Sequence, residues 1–221
     1  MKVGCIIQAR LTSTRLPGKV KKLIGDKTLL NHVIDYCLSS SADVIIIAVP
    51  FLQRNEFLAM IEETDRLKIY EGPELNVYDR FEGAAKFHKL DYIVRITSDD
   101  PFKSYRMINA IIELCRLDAY DYISNNLSEV MPYGFDVEGF KVDAFLKSKD
   151  FGNQAQVEEH VTTNLRQVDS FSRLWLQSNK SYSDVRITVD TQEDLMNARE
   201  LHSSNTTELK ELVKKSRNEK N

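Results

Sequence analysis

A basic loop follows the first apolar segment of the chain. Residues 3–7 form a short apolar run of the kind expected for a strand buried on both faces, and Arg10, Arg15 and Lys19 come after it. One guanidinium group can donate two parallel hydrogen bonds to the oxygens of a phosphate, whereas a lysine contributes a point charge to the same anion. Five of the residues between these cations are hydroxyl-bearing or turn-forming, namely Thr12, Ser13, Thr14, Pro17 and Gly18. This pattern favours the binding of a nucleoside triphosphate, and a solvated basic loop with a Pro-Gly turn is the alternative.

The positive charge of this loop is local. Residues 1–27 contain seven Lys or Arg and one acid, whereas the whole chain of 221 residues has a formal net charge of −3. A nucleic-acid binder needs an extended basic face to displace counterions, so polynucleotide partners are not expected. The expected partner is a compact anion.

Two acids stand directly after apolar segments. Asp99 follows residues 93–96, and Asp190 follows residues 185–189. Carboxylate oxygens are ligands that Mg²⁺ accepts while it keeps several waters, so the two acids could hold a metal beside a triphosphate. Each acid also fits the start of a helix, where a cap and nearby carboxylates are stabilised. Taken singly, each acid fits the cap better than the metal.

The elements that must position these groups alternate between strand and helix as far as residue 124. Apolar runs predict strands at 3–7, 43–49, 68–71, 92–97 and 120–124, and helical periodicity predicts helices at 28–39, 57–61, 76–88 and 104–117. This alternation indicates an α/β fold with right-handed crossovers. Ligands of such sheets bind beyond the carboxyl ends of the strands, which is where the basic loop and Asp99 lie.

The pattern becomes less regular near Met131. Residues 132–140 alternate only in part and predict a strand on a partly antiparallel side of the sheet, followed by a short helix from Val142. Beyond it we predict a helix at 156–167, a strand at 171–176, a last core strand at 185–189 and a helix at 191–201. Residues 202–221 are polar and are expected to be a tail.

The composition suits one sizeable globular domain. No apolar run is long enough to span a bilayer, and no secretory signal precedes the first strand, so we expect a cytoplasmic protein without a membrane partner. Cys5, Cys37 and Cys115 lie in apolar segments without metal-ligand spacing. We interpret them as buried, reduced thiols.

Several segments resemble one enzyme family. The stretches at 7–10 and 15–19 are similar to the nucleotide-binding signature of the cytidylyltransferases that activate acidic sugars, the CMP-Kdo and CMP-sialic acid synthetases. The resemblance is closer to the SpsF branch of spore coat polysaccharide synthesis proteins, which has Gln where other members have Pro before Ala-Arg. It continues through residues 76–81, 94–101, 133–138, 159–162 and 187–195.

The resemblance implies a three-layer α/β/α nucleotide-diphospho-sugar transferase fold, which is Rossmann-like and has a mixed, mostly parallel sheet. It implies one nucleotidyltransferase domain over residues 1–201, with a nucleotide-binding half at about 1–124 and an acceptor-binding half at about 125–201. Family members commonly dimerise, and residues 127–180 are where a homodimer contact is expected.

The resemblance also implies roles for individual residues. The residues at the nucleotide are Gln8, Ala9, Arg10, Leu11, Ser13, Arg15, Lys19, Thr97 and Asp99. The residues that act in catalysis are Lys19, Arg10, Asp99 and Asp190, and the two aspartates hold Mg²⁺. The residues on the side of the acceptor sugar are Asp136, Glu138, Glu159 and His160. Ser98 departs from the family pattern, which usually has Gly before Asp.

The implied reaction is transfer of CMP from CTP to a sugar or sugar acid with release of pyrophosphate, in surface polysaccharide or glycan biosynthesis. Two alternatives stay open. One is a glycosyltransferase of the same fold, against which the cation density of the loop argues because a triphosphate needs it more than a diphosphate does. The other is a non-catalytic nucleotide-binding protein, for which Ser98 is the only indication.

Overall fold

The computed structural model describes residues 1–126, 130–151, 158, 160–178 and 181–203. Its strands are β1 (Val3–Gln8), β2 (Leu23–Ile24), β3 (Lys27–Thr28), β4 (Val44–Pro50), β5 (Leu67–Gly72), β6 (Tyr92–Thr97), β7 (Tyr122–Ser124), β8 (Glu138–Lys141) and β9 (Arg173–Trp175). Its helices are α1 (Leu29–Leu38), α2 (Arg54–Leu58), α3 (Val77–His88), α4 (Tyr105–Arg116), α5 (Val142–Ser148), α6 (Thr163–Gln167) and α7 (Gln192–Ser203), and Lys19–Lys21 forms a 3-10 turn.

Seven strands form one sheet in the order β5-β4-β1-β6-β8-β7-β9. The pairs β5–β4, β4–β1, β1–β6 and β7–β9 are parallel, and β8 is antiparallel to both β6 and β7. The predicted mixed, mostly parallel sheet is therefore confirmed, with its antiparallel part on the side where the sequence pattern becomes irregular.

Alternate residues of the central strands fill two separate cores, as the two-residue period of a strand requires. Cys5 and Ile7 of β1 pack with α1 and α4 on one face, while Ile6 packs with α3 and α5 on the other. β1 as far as Ile7 and β4 along its whole length are apolar because both faces of these strands are buried. Helices thus cover both faces of the sheet, which gives the three layers expected.

A third apolar cluster lies beside the sheet and corrects one prediction. Residues 185–189 are not a strand of the sheet. Within this segment, Arg186 makes an isolated parallel β-bridge with Tyr133. The segment is nonetheless apolar because Val185, Ile187 and Val189 pack against α7 and the unpredicted hairpin β2–β3. A buried satellite cluster and a core strand have the same hydrophobic pattern, so periodicity did not separate them.

Two further boundaries in the second half of the chain differ from the predictions. In the described part of the predicted helix at 156–167, Glu158 and His160 are helical, residues 161 and 162 interrupt the helix, and α6 begins at Thr163. The predicted tail starts inside α7, which ends at Ser203, and residues 204–221 lie outside the described residues. Among the described helices, each is too short or too polar to cross a lipid bilayer.

Candidate active site

The basic loop is closed by its own backbone. The amide of Gly18 donates to the carbonyl of Leu11 at 3.1 Å, and the amide of Lys19 donates to Leu16 at 3.1 Å. Gly18 has φ 63°, a left-handed conformation that glycine adopts without a steric cost. The side chain of Leu16 is buried in the third apolar cluster and anchors the loop. These contacts fix where the 3-10 turn begins and thus where Lys19 stands.

Lys19 lies between the two predicted metal ligands. Its Nζ is 2.7 Å from Oδ2 of Asp99 and 3.0 Å from Oδ1 of Asp190. Burial acts to lower the pKa of Lys19, but the charges of Asp99 and Asp190 outweigh burial and raise it. The lysine is therefore a firmly held cation that joins two distant parts of the chain.

Asp190 reaches this point although its segment is outside the sheet. The amide of Val189 donates to the carbonyl of Asp99 at 2.8 Å, which ties the two acid-bearing segments together. Arg15 binds Oδ1 of Asp190 at 2.9 Å, and Arg186 binds Oδ2 at 2.8 Å. Burial acts to raise the pKa of Asp190, but Lys19, Arg15 and Arg186 outweigh burial and lower it. Asp190 is accordingly ionised at neutral pH.

Neither acid serves as a helix cap. The cap of α4 is Ser104, whose side chain accepts from the amide of Met107. At α7 the side chain of Thr191 accepts from the amide of Asp194, and Asp194 accepts in return from the amide of Thr191. Neighbouring residues therefore make the caps, and the carboxylates of Asp99 and Asp190 are left to face Lys19.

A first cavity of about 490 Å³ lies above the basic loop. The predicted residues that line it are Gln8, Ala9, Arg10, Ser13, Arg15 and Lys19, together with Asp99 and Asp190. Leu11 is not among its lining residues; its side chain packs against the core and its amide donates to Gln53 at 3.0 Å. Thr97 lies elsewhere, with its hydroxyl bonded to the carboxylate of Asp100.

A second cavity of about 530 Å³ adjoins the first. It is lined by Thr97 and by two of the four residues predicted to face the acceptor, Asp136 and His160. Burial raises the pKa of Asp136, and the buried Lys103 binds the carbonyl of Asp136 at 2.5 Å. Glu159 lies outside the described residues, whereas its neighbour Glu158 lines the first cavity.

Glu138 lies behind the second cavity. Its side chain is buried and does not line either cavity among the described residues. Its carboxylate binds Arg95 and accepts from the hydroxyls of Tyr122 and Thr162. Glu138 thus reaches the cavities only through Arg95.

Sequence reasoning did not single out two arginines that line the first cavity, Arg80 and Arg95. Arg80 is 1% exposed, its Nη1 donates to the carbonyl of Pro73, and its buried Nε has no hydrogen-bond partner among the described residues. Burial and the charge of Arg10 lower the pKa of Arg80 to about 10. Two signals were available: a basic residue inside the apolar periodicity of α3 or inside β6, and the position of both arginines in segments that resemble the family, 76–81 and 94–101.

The donor atoms present suit a hard divalent cation. Asp99 and Asp190 converge on one point, since oxygens of both bind the same Nζ. Mg²⁺ is commonly held by one or two carboxylates together with substrate phosphates and waters. Within the described residues no cluster of three or more His, Cys, Asp or Glu forms a protein-only cage. The aspartate pair therefore fits Mg²⁺ that enters with a nucleotide.

Comparisons with known proteins identify the family of this chain. The family model for cytidylyltransferases matches residues 4–219. The spore coat polysaccharide biosynthesis protein SpsF of Bacillus subtilis (strain 168) is 28% identical over 209 residues, covering 89% of this chain and 85% of that protein.

Solved structures show the same fold. A cytidylyltransferase from Leptospira borgpetersenii serovar Hardjo-bovis superposes with a TM-score of 0.85 at 24% identity, covering 92% of this chain and 87% of that chain. A CMP:2-keto-3-deoxy-manno-octonic acid synthetase complexed with CTP superposes with a TM-score of 0.72 at 15% identity, covering 93% and 100%. The extent of the family match shows that this chain belongs to the cytidylyltransferase family.

Proposed function

We propose that this protein transfers CMP from CTP to a hydroxyl of a sugar or sugar acid and releases pyrophosphate. The observation that carries the proposal is the convergence of Lys19, Asp99 and Asp190 at the boundary between two adjoining cavities. One cavity is lined by the basic loop and suits a triphosphate, and the other is lined by polar side chains and suits a hydroxylated acceptor. The sugar acceptor is supported by the relatives whose names include spore coat polysaccharide and a keto-deoxy octonic acid.

In the reaction, a bond forms between the acceptor oxygen and the α-phosphorus of CTP while the bond from that phosphorus to the pyrophosphate oxygen breaks. The acceptor hydroxyl loses its proton to solvent. Negative charge grows on the equatorial oxygens and on the leaving pyrophosphate, and the role of Arg10, Arg15 and Lys19 is to stabilise it. Preorganisation of these cations by the closed loop and by the aspartates reduces the reorganisation that the reaction requires.

Asp99 and Asp190 are proposed to hold Mg²⁺. When bound, the metal would neutralise phosphate charge and lower the pKa of an acceptor hydroxyl. With the metal and the nucleotide bound, Lys19 would have phosphate oxygens as partners in place of the two carboxylates. Titration with CTP in the presence of Mg²⁺, Mn²⁺ or EDTA tests this requirement.

A glycosyltransferase of the same fold is the alternative. It would bind a finished nucleotide sugar, whose two phosphates need fewer cations than the first cavity offers. Calorimetric titration with CTP, UTP and a UDP-sugar in the presence of Mg²⁺ separates the two proposals. Tighter binding of the UDP-sugar than of either triphosphate would favour the glycosyltransferase.

The direct test is release of pyrophosphate from CTP with a panel of sugars and sugar acids. We expect Lys19→Ala and Asp190→Ala to lower turnover by about 100-fold or more, since each removes a preorganised charge. Lys21→Ala is the matched control, because Lys21 lies in the same segment but pairs with Glu56 outside both cavities. Parent-like rates in folded Lys19→Ala and Asp190→Ala variants would reject the assigned roles.

Two further predictions belong to this proposal. We place the protein in the cytoplasm, where its three free, buried cysteines stay reduced. We also propose a homodimer with its contact within residues 127–180. Light scattering over a concentration series measures the mass, and a monomer at all concentrations would reject the dimer.

A further inference from the structure

We propose that Arg95 is a further catalytic residue that contacts the reacting α-phosphate, and that Glu138 is the residue that positions it. This inference rests on the proposed function and names a residue that the sequence did not single out. It follows from three features: where Arg95 lies, how firmly its guanidinium is held, and which of its N–H groups are left for a ligand.

Arg95 lies where the two cavities meet. The residues that line both cavities are Arg15, Arg95, Asp99, His160 and Asp190. If the triphosphate occupies the first cavity and the acceptor the second, the bond that forms between them must lie beside these shared residues. Two of these five shared residues, Arg15 and Arg95, carry a guanidinium, which is permanently charged.

The two arginines differ in how they are held. The side chain of Arg15 is 65% exposed, whereas that of Arg95 is 18% exposed and projects from the central strand β6. Nε and Nη2 of Arg95 donate to Oε1 of Gln8 at 3.3 Å and 3.2 Å, and its Nη1 binds the carboxylate of Glu138. A guanidinium fixed on two edges acts without reorganisation when charge develops beside it.

Glu138 is itself fixed by the fold. It lies on β8, directly opposite Arg95 in the antiparallel ladder, and its carboxylate accepts from the hydroxyls of Tyr122 and Thr162. Burial acts to raise the pKa of Glu138, but the charge of Arg95 and these hydrogen bonds outweigh burial and lower it. Glu138 therefore stays ionised and holds the guanidinium in one orientation.

The guanidinium keeps donors for a ligand. It has five N–H groups, and three of them have partners among the described residues. The remaining two, one on Nη1 and one on Nη2, have no partner among the described residues, and Arg95 lines both cavities. The N–H groups of a guanidinium suit the non-bridging oxygens of a phosphate.

The reaction gives these donors a specific task. As the acceptor oxygen bonds to the α-phosphorus and pyrophosphate leaves, charge grows on the non-bridging oxygens of that phosphorus. Arg95 stabilises this charge by hydrogen bonds and keeps its own proton throughout. Arg10, Arg15 and Lys19 also stabilise the charge on the leaving pyrophosphate.

Two probe molecules test the α-phosphate and the leaving group separately. CMP carries only the α-phosphate, and inorganic pyrophosphate represents the leaving group. We expect Arg95→Met to weaken CMP binding, measured by calorimetry with Mg²⁺, by about tenfold, the effect of losing a charge-assisted hydrogen bond. Pyrophosphate binding should stay within about twofold of the parent. Glu138→Gln should weaken CMP binding in the same direction but less, since it leaves the guanidinium present and less firmly held.

Arg54→Met is the matched control. Arg54 is also a partly buried arginine paired with a glutamate, Glu63, but it lies outside both cavities. It should leave the affinities for CMP and pyrophosphate unchanged. Arg95→Lys serves if Arg95→Met does not fold, as judged by circular dichroism, because it keeps the charge and loses the planar fork.

The kinetic readout separates a catalytic role from a structural one. With an acceptor that the parent uses, Arg95→Lys should lower kcat by about 100-fold with the KM for CTP within about threefold. CMP binding by Arg95→Met within twofold of the parent, or equal weakening of CMP and pyrophosphate, would reject this inference alone. Failure of the parent to bind CTP would reject the proposed function, and this inference with it.

Discussion

The two sides of the site are built in different ways. On the nucleotide side, the parallel strands β1, β4 and β6 end at one edge of the sheet, and the loop that follows β1 is closed by its own backbone. On the acceptor side, the wall of the second cavity includes Tyr133, Gly134 and Asp136, which precede β8 and lie outside the sheet.

Buried charges add to the backbone contacts on the acceptor side. Lys103 is 2% exposed; its Nζ binds Asp100 at 2.8 Å and the carbonyl of Asp136 at 2.5 Å. Arg95 and Glu138 make a second such pair, in which Glu138 is two residues beyond Asp136. The backbone ladder and the closed loop therefore position the nucleotide side, which Lys19 joins to Asp190. On the acceptor side, the buried Lys103 joins Asp100 to the carbonyl of Asp136.

The largest expected effect comes from breaking the Lys103 pair. Lys103→Met leaves Asp100 buried without its cation, which costs about 3–5 kcal/mol. The melting temperature should fall by about 10 °C, since 1 kcal/mol corresponds to about 2–4 °C for a chain of this size. Thermal unfolding followed by circular dichroism measures it.

The double variant Asp100→Asn/Lys103→Met is the control for this prediction. It removes both charges and should recover part of the lost stability, because no uncompensated charge stays buried. A fall of less than about 3 °C for Lys103→Met would show that the ion pair does not hold the acceptor wall.

Two glycines give a smaller, matched comparison. Gly134 has φ 101°, and a Cβ there would lie 2.8 Å from the amide nitrogen of Thr188 and 2.9 Å from Oδ1 of Asp100. Gly18 has φ 63°, and a Cβ there would meet nothing within 4 Å. Gly134→Ala should cost about 3 kcal/mol from backbone strain and overlap together, and Gly18→Ala about 1 kcal/mol from strain alone.

Urea unfolding midpoints measure both losses. The CTP affinity of Gly134→Ala should stay closer to the parent value than its affinity for an acceptor does, because Gly134 lines only the second cavity. Equal costs for the two substitutions would contradict the idea that the acceptor wall is the more tightly packed side.

The sequence located most of the residues that line the first cavity, and the reason is physical. A strand buried on both faces is a continuous apolar run, so the ends of β1 and β6 and the residues just beyond them could be located. Lys19 and Asp99 are close to those ends. The position of Asp190 was predicted for a partly wrong reason, since residues 185–189 pack in a satellite cluster and reach Asp99 by one backbone hydrogen bond.

The acceptor side was less predictable because its charged contacts come from single residues inside apolar or irregular segments. Arg95 and Glu138 are 43 positions apart, and Lys103 binds a carbonyl 33 positions away. A single charged residue in an apolar segment carries no periodic signal for its partner. Glu138 was therefore predicted at the acceptor, whereas the structure places it behind Arg95.

The smallest expected effect is a pH dependence that isolates Glu138. Its folded-state pKa is lowered below the ordinary value of 4.5, so the unfolded chain binds its proton at a higher pH than the folded chain does. The stability that Glu138 contributes is fully present above the unfolded pKa and is lost as the pH falls through the lowered folded value. The difference in urea midpoint between the parent and Glu138→Gln should therefore be constant from pH 7 to about pH 5 and should shrink towards pH 3.

Glu56→Gln, at an exposed surface pair, is the control and should show little difference at any pH. A parent–Glu138→Gln difference that stays constant down to pH 3 would mean that the Arg95–Glu138 pair does not stabilise the ionised carboxylate, and the acceptor wall would then be held by packing instead of by charge.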